Sequence, residues 1–309
     1  MIAERSTRVR TLVRDNFFRI LAVVVITGSV EWANNYVDLD RPALSVAAVT
    51  LLVTALSIFL VFRVNEAYQR WWEARTLWGA IVNDSRSFAR QVLSLLRPIP
   101  GDQESERSVR ALQREMVLRQ IAWINALRLG LRRQDELDPL VPFLPAGEAE
   151  TLSKIADRPS QLMLTQAKLL AEARAAGQVG EMAQHRIETT MTSLQNAQGG
   201  CERIKKTPFP DRVVYFTRFC AWSLAIVIPV ALMAKSDGFD PIDYIVLPFM
   251  MLAFLITERL GAELKNPFEN RPNDTPMTAI CRTIEIGLLQ QLGEDDVPLS
   301  LEPENGVLM

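Results

Sequence analysis

Residues 43–80 read ALSVAAVTLLVTALSIFLVFRVNEAYQRWWEARTLWGA. The first half is an apolar run of about 20 residues, the length that crosses a bilayer as a helix. It passes with no Pro or Gly break into a basic, aromatic segment, and no proline follows until Pro98. One helix is therefore expected to leave the membrane and continue for about 30 residues, roughly 45 Å at about 1.5 Å per residue. Within the apolar half, Thr54, Ile58 and Phe62 recur every fourth residue and share a helix face. That face has two readings: packing against another helix of the same subunit, or the lining of a pore built from several copies.

Three further apolar stretches organise the rest of the 309 residues: about 17–36, 214–234 and 242–257. The mean hydropathy near zero averages these against a charged, helix-forming segment that separates the second and third stretches. The reading is an all-α integral membrane protein with four transmembrane helices and a large helical cytoplasmic domain. Its parts are an N-terminal segment (1–16), helices 1 and 2 (17–62), the helical domain (63–213), helices 3 and 4 (214–259) and a C-terminal helix with a wrapping tail (260–309). Nothing alternates with period two for long enough to need a sheet.

Orientation follows from Lys and Arg placement. Arg5, Arg8, Arg10 and Arg14 precede the first span; Arg63, Arg70 and Arg75 follow the second. Arg203, Lys205, Lys206 and Arg212 precede the third, and Arg259, Lys265 and Arg271 follow the fourth. The opposite loops hold only Arg41 and Lys235, beside Asp38, Asp40, Asp237 and Asp240. Both termini and the helical domain are thus expected in the cytoplasm of a cell whose inner membrane carries the spans. A signal peptide over 1–30 is the rival, but Glu31, Trp32 and the lack of a small-x-small site oppose it.

In the helical domain, residues 99–108 read as a polar loop. Leu112, Met116, Arg119, Trp123 and Leu127 then form a mainly apolar stripe, and short helices are expected over 147–156, 159–176 and 179–198. Gly199-Gly200 is expected to end the last of these. Pro229 and Pro248 fall inside the third and fourth spans, where each frees a carbonyl one turn earlier.

Enzyme signatures are scarce, and no catalytic residue is assigned. The single histidine, His185, lies on a polar helix face. Cys201 has no base placed beside it and reads as a packing residue at a helix end. Cys201, Cys220 and Cys281 show no paired spacing, so neither disulfides nor a zinc site is expected. Glu31 and Glu258 near span ends are explained equally by headgroups or an arginine. Glu263, Glu269 and Asp274 surround a Pro-rich turn that superficially suits calcium; Arg271 in its middle favours a capped turn before a helix from about 276. No metal and no cofactor is assigned. A net charge of −2 gives no support to nucleic-acid binding.

Three motifs together, FRVNEAYQRWWEARTLWG (62–79), GGCERIKKTPFP (199–210) and ELKNPFENRPNDTP (263–276), resemble the characteristic segments of the bestrophin family and its bacterial homologues. Their order and spacing match over roughly residues 10–292. The resemblance implies a homopentameric channel for small monovalent ions, embedded in membrane lipid, with the second span of each subunit lining a central pore. It places the narrow neck at Thr54, Ile58 and Phe62, where Thr54 departs from the large apolar residue usual in the family. It places a cytoplasmic aperture near Met182. Animal bestrophins are calcium-activated chloride channels with an acidic clasp just after the NPF turn. NPFENRPND lacks that run, so calcium activation is not carried over, and anion or cation preference stays open. The alternative is a membrane-anchored scaffold or sensor whose 104–133 helix exposes its apolar stripe to a partner.

Overall fold

A computed structural model describes residues 9–36, 46–207, 210–233, 243–303 and 307–308. These form helices α1 (Val9–Tyr36), α2 (Val46–Leu95), α3 (Gln103–Arg132), α4 (Glu148–Ser153), α5 (Arg158–Ala175), α6 (Glu181–Lys206), α7 (Asp211–Met233), α8 (Asp243–Leu264) and α9 (Met277–Leu292), with a 3₁₀ turn at Val141–Phe143. The described residues contain no β-strand. The oppositely charged loop residues used for orientation (Asp38, Asp40, Arg41, Lys235, Asp237 and Asp240) lie outside the described residues, as do Arg5 and Arg8.

The chain divides into two compact units. One comprises Glu4–Trp71 and Pro208–Asn266, and so holds α1, the first half of α2, α7 and α8. Among the described residues, four helices are long and apolar enough to cross a membrane, and all four contribute here. Their mutual packing is modest: Val23, Ala221, Ala225, Met251 and Leu255 form one buried cluster, and Leu224, Ile228 and Leu247 another. Small residues let the backbones approach, as usual between membrane helices. A Cβ on Gly261 of α8 would stand 3.2 Å from the Val64 side chain of α2. Pro229 and Pro248 sit within α7 and α8 as expected.

The other unit comprises mainly Trp72–Thr207 and Pro267–Met309. Along α2, Ala74, Trp78, Ile81, Phe88, Ala89 and Val92 recur at helical spacing and are all buried, as is Leu96 just past its end. They join the core around α3, which packs on α5 and α9. From Arg119 to Leu129 every residue of α3 is buried, far more than the expected stripe. An exposed apolar face on 104–133 is therefore ruled out, and with it the surface that the scaffold reading needed.

Two boundaries differ from expectation. α3 starts at Gln103 instead of after 108, because the Asp102 carboxylate accepts hydrogen bonds from the N–H groups of Glu104 (2.9 Å) and Ser105 (3.1 Å). Glu104 and Glu106 in the first turn suit the positive end of the helix dipole. α6 runs through Gly199-Gly200 to Lys206. Gly200 is there for close approach: a Cβ would meet Leu77 Cδ1 at 2.8 Å. Cys201 is consequently an interior helix residue, not a terminal one.

Candidate functional site

Helix α2 has two faces within the membrane-spanning unit. Leu60, Arg63 and Ala67 are buried, and Val53 and Leu56 pack on Leu224, Ile228 and Leu247 of α7 and α8. The opposite face carries Thr54, Ile58 and Phe62. Ile58 is 51% exposed and Phe62 64%. Thr54 is exposed too, and its hydroxyl donates to the Thr50 carbonyl one turn earlier at 2.8 Å. Ser57 does the same to Val53 at 2.6 Å. Both hydroxyls are thus satisfied by their own helix, and neither needs a partner across the face. Packing inside this subunit is carried by the face opposite Thr54, Ile58 and Phe62.

One residue beyond Phe62, the Arg63 guanidinium is buried against α7 and α8. Its Nη1 donates to Thr217 Oγ1 and lies 3.2 Å from Glu258 Oε1, with side-chain exposures of 2% and 4% for the ion pair. Arg218 approaches the same oxygen at 3.5 Å from a more exposed position. Thr217 in turn donates to the Val213 and Val214 carbonyls. Glu258 therefore meets arginines, which decides between the two sequence readings of that residue. The pairing itself was invisible in sequence, since Arg63 and Glu258 are far apart along the chain. The signal in sequence was an acid placed at the end of the apolar run of α8.

Met182 belongs to the other unit. It sits in the first turn of α6 and is 70% exposed, like its exposed neighbour Glu181. His185, one turn on, is exposed as expected.

The turn after the NPF sequence is held by Asp274. Its Oδ2 accepts from the backbone N–H of Glu269 (2.6 Å) and of Arg271 (3.1 Å). Burial pushes the Asp274 carboxyl up, against the pull of those hydrogen bonds and of Arg271. Glu269 bonds Lys205 at 2.8 Å, and that hydrogen bond holds its carboxyl below the usual range. Glu263 pairs with Arg259 on its own helix. The three acids are thus engaged with cations or backbone donors, and the described residues hold no cluster suited to a metal ion. Cys201 and Cys281 are buried thiols pushed up to about 12 by burial, which leaves them neutral and poorly nucleophilic. All three cysteines are free.

A family model described as bacterial/fungal bestrophin protein matches residues 7–290. A voltage-dependent anion channel-forming protein of Ralstonia nicotianae is 34% identical over 281 residues, covering 89% of this chain and 84% of that protein. One of Salmonella typhimurium, with the same description, is 32% identical over 263 residues, covering 84% and 81%. Among solved structures, a bacterial bestrophin homologue from Klebsiella pneumoniae superposes with a TM-score of 0.79 at 26% identity, covering 91% of this chain and 99% of that one. A point mutant of that homologue gives a TM-score of 0.82 at the same identity.

Proposed function

Because the chain belongs to the bacterial and fungal bestrophin family, we propose that it is an ion channel, assembled as a homopentamer in the cell inner membrane with both termini and the helical domain in the cytoplasm. In this reading five copies of α2 surround the pore. Thr54, Ile58 and Phe62 form the neck, and Met182 rings a cytoplasmic aperture. The permeant species are small monovalent ions. Anions are the favoured class, because the relatives are described as anion channel-forming proteins. The observation that carries the proposal is the unpartnered face of α2: large apolar side chains at Ile58 and Phe62 stay exposed while the opposite face does the packing.

No covalent chemistry is involved. A narrow apolar ring resists an ion because it offers no ligand to replace the hydration shell, so the barrier is dehydration and dewetting. Thr54, whose hydroxyl is occupied by Thr50, presents a smaller and wetter ring than Ile58 or Phe62.

Ile58→Ala and Phe62→Ala should each raise flux through proteoliposomes containing the purified protein, while the reversal potential under a salt gradient follows the anion. Unchanged flux in both variants would remove the neck assignment. A reversal potential at the cation equilibrium value would overturn the anion preference and leave the pore standing.

A further inference from the structure

Two arginines at the end of α3 have no counter-charge paired to them among the described residues. Arg119, buried earlier in the same helix, is paired with two acids, Glu148 at 2.6 Å and Glu115 at 2.9 Å, although its Nη1 has no hydrogen-bond partner. Arg128 and Arg132, two and three turns further on, form no ion pair among the described residues. Arg128 is 9% exposed; its side chain reaches the sulfur of Cys281, and its Nε is buried without a hydrogen-bond partner. Arg132 donates from Nη1 to Thr278 Oγ1 at 2.6 Å, while its Nε and Nη2 are buried and unpartnered. Three charged donor nitrogens are therefore closed off from solvent with no hydrogen-bond partner among the described residues.

The surroundings do not supply the missing charge. Asp274, an acid that acts on Arg132, is committed to the backbone N–H groups of Glu269 and Arg271. Glu285 is taken by Arg282 at 3.4 Å. Thr278 and Cys281 lie in the first turns of α9, whose N-cap residue, Pro276, makes no side-chain cap, so the positive end of that helix adds to the same field. Carbonyls at the C-terminus of α3 offset this only in part, and chiefly at Arg132 in the last turn. Burial and then the neighbouring Arg128 both push the Arg132 guanidinium down, as expected for two cations facing each other. Buried donors ordinarily have at least one partner, from the protein or an ordered water, so orphaned ones point to a group bound from outside.

We propose that Arg128 and Arg132, with the first turn of α9, bind a small inorganic anion of halide size. Solvent closure of the orphaned nitrogens suits a monatomic ion that sheds its water more than a bulky phosphate. The site lies within one unit, contributes nothing to the neck, and stands or falls separately from the pore reading. Its effect is to fix α3 to α9 in a chloride-dependent way.

The test uses the full chain in detergent. Thermal unfolding is followed by tryptophan fluorescence in chloride and in gluconate at equal ionic strength. Chloride should raise the midpoint by roughly 3 °C, the scale expected for a ligand present well above its dissociation constant. Arg128→Met with Arg132→Met should abolish that difference. An equal chloride gain in wild type and the double variant would overturn the proposal. Should the variant not fold, bromide-soaked crystals of the wild type decide. An anomalous peak bonded to both guanidinium groups supports the site; an ordered water, or a carboxylate from a neighbouring subunit, in that position refutes it.

Discussion

Replacing Glu258 by Gln isolates the buried ion pair beside the candidate neck. The Arg63 guanidinium is almost fully enclosed and, among the described residues, pairs with one carboxylate, Glu258, at 3.2 Å. At an effective dielectric constant of about 20, that separation corresponds to an attraction of about 5 kcal/mol. Removing one partner from a buried pair leaves the other as an uncompensated charge, and the cost is typically about 3–5 kcal/mol. Arg218 cannot take over Glu258's role, because it carries the same sign as Arg63. Glu258→Gln keeps the shape and one acceptor, so the loss should fall near the lower figure. For a chain of this size about 3 kcal/mol is roughly a 6–12 °C fall in the unfolding midpoint, measured in detergent. The double variant Arg63→Met, Glu258→Gln removes both charges and should recover more than half of that fall. Two results would refute the reasoning: a Glu258→Gln midpoint within a degree of wild type, or a double variant no more stable than the single. Since Arg63 follows Phe62 directly on α2, the same variant should also alter proteoliposome flux, while a remote, equally destabilising change should not.

Other expectations follow from single contacts. Asp274→Ala leaves two backbone donors without their acceptor and should cost about 2–3 kcal/mol, seen as faster hydrogen exchange at the Glu269 and Arg271 amides; unchanged exchange would mean that the turn is held by other contacts. Gly200→Ala should be nearly neutral, since helix propensity gains about 1 kcal/mol while a flexible Leu77 methyl must move; Gly200→Ile should lose about 2 kcal/mol or more by overpacking, read from thermal unfolding. Maleimide at neutral pH should leave Cys201 and Cys281 unmodified in the folded protein and label them after denaturation, as counted by mass spectrometry; rapid labelling of the native state would contradict their burial. Glu269, held low by Lys205, contributes stability that is present above the ordinary carboxylate range and lost as pH falls through its depressed value. The acid limb of the stability profile should therefore flatten in Glu269→Gln.

The membrane architecture was legible because a bilayer imposes a length of apolar residues that few other settings tolerate. The four helices long and apolar enough to cross a membrane lie over the apolar stretches of the sequence, and α2 continues unbroken as the absence of proline implied. The stripe Thr54, Ile58, Phe62 was legible as a shared face, since spacing alone decides that. Which way the face points was not. Its burial depends on whether α7 and α8 meet it or the opposite side, and Leu56 and Leu60 on that other side are as apolar as Ile58.

At Gly199-Gly200 and along the α3 stripe, groups distant in sequence override a local signal. Gly199-Gly200 has the composition of a helix end, yet Leu77, distant in sequence, needs the space that a glycine leaves. The α3 stripe likewise underestimates burial because polar residues interrupt it, and some of these are met by groups remote in sequence. Gln120 donates to Ser85 at 3.0 Å, Arg119 is held by Glu148, and Gln166 of α5 donates to the Met116 carbonyl at 2.7 Å. A helix surrounded on all sides can carry polar groups only where the rest of the fold supplies partners, so its sequence looks amphipathic when its environment is not. By the same reasoning the positions that matter most on α3 are those where the fold does not close the account. Arg119 has its charge matched by Glu115 and Glu148, even though its Nη1 lacks a hydrogen-bond partner. Arg128 and Arg132 keep orphaned donors with no acid paired to either among the described residues, and the proposed anion would supply that missing charge.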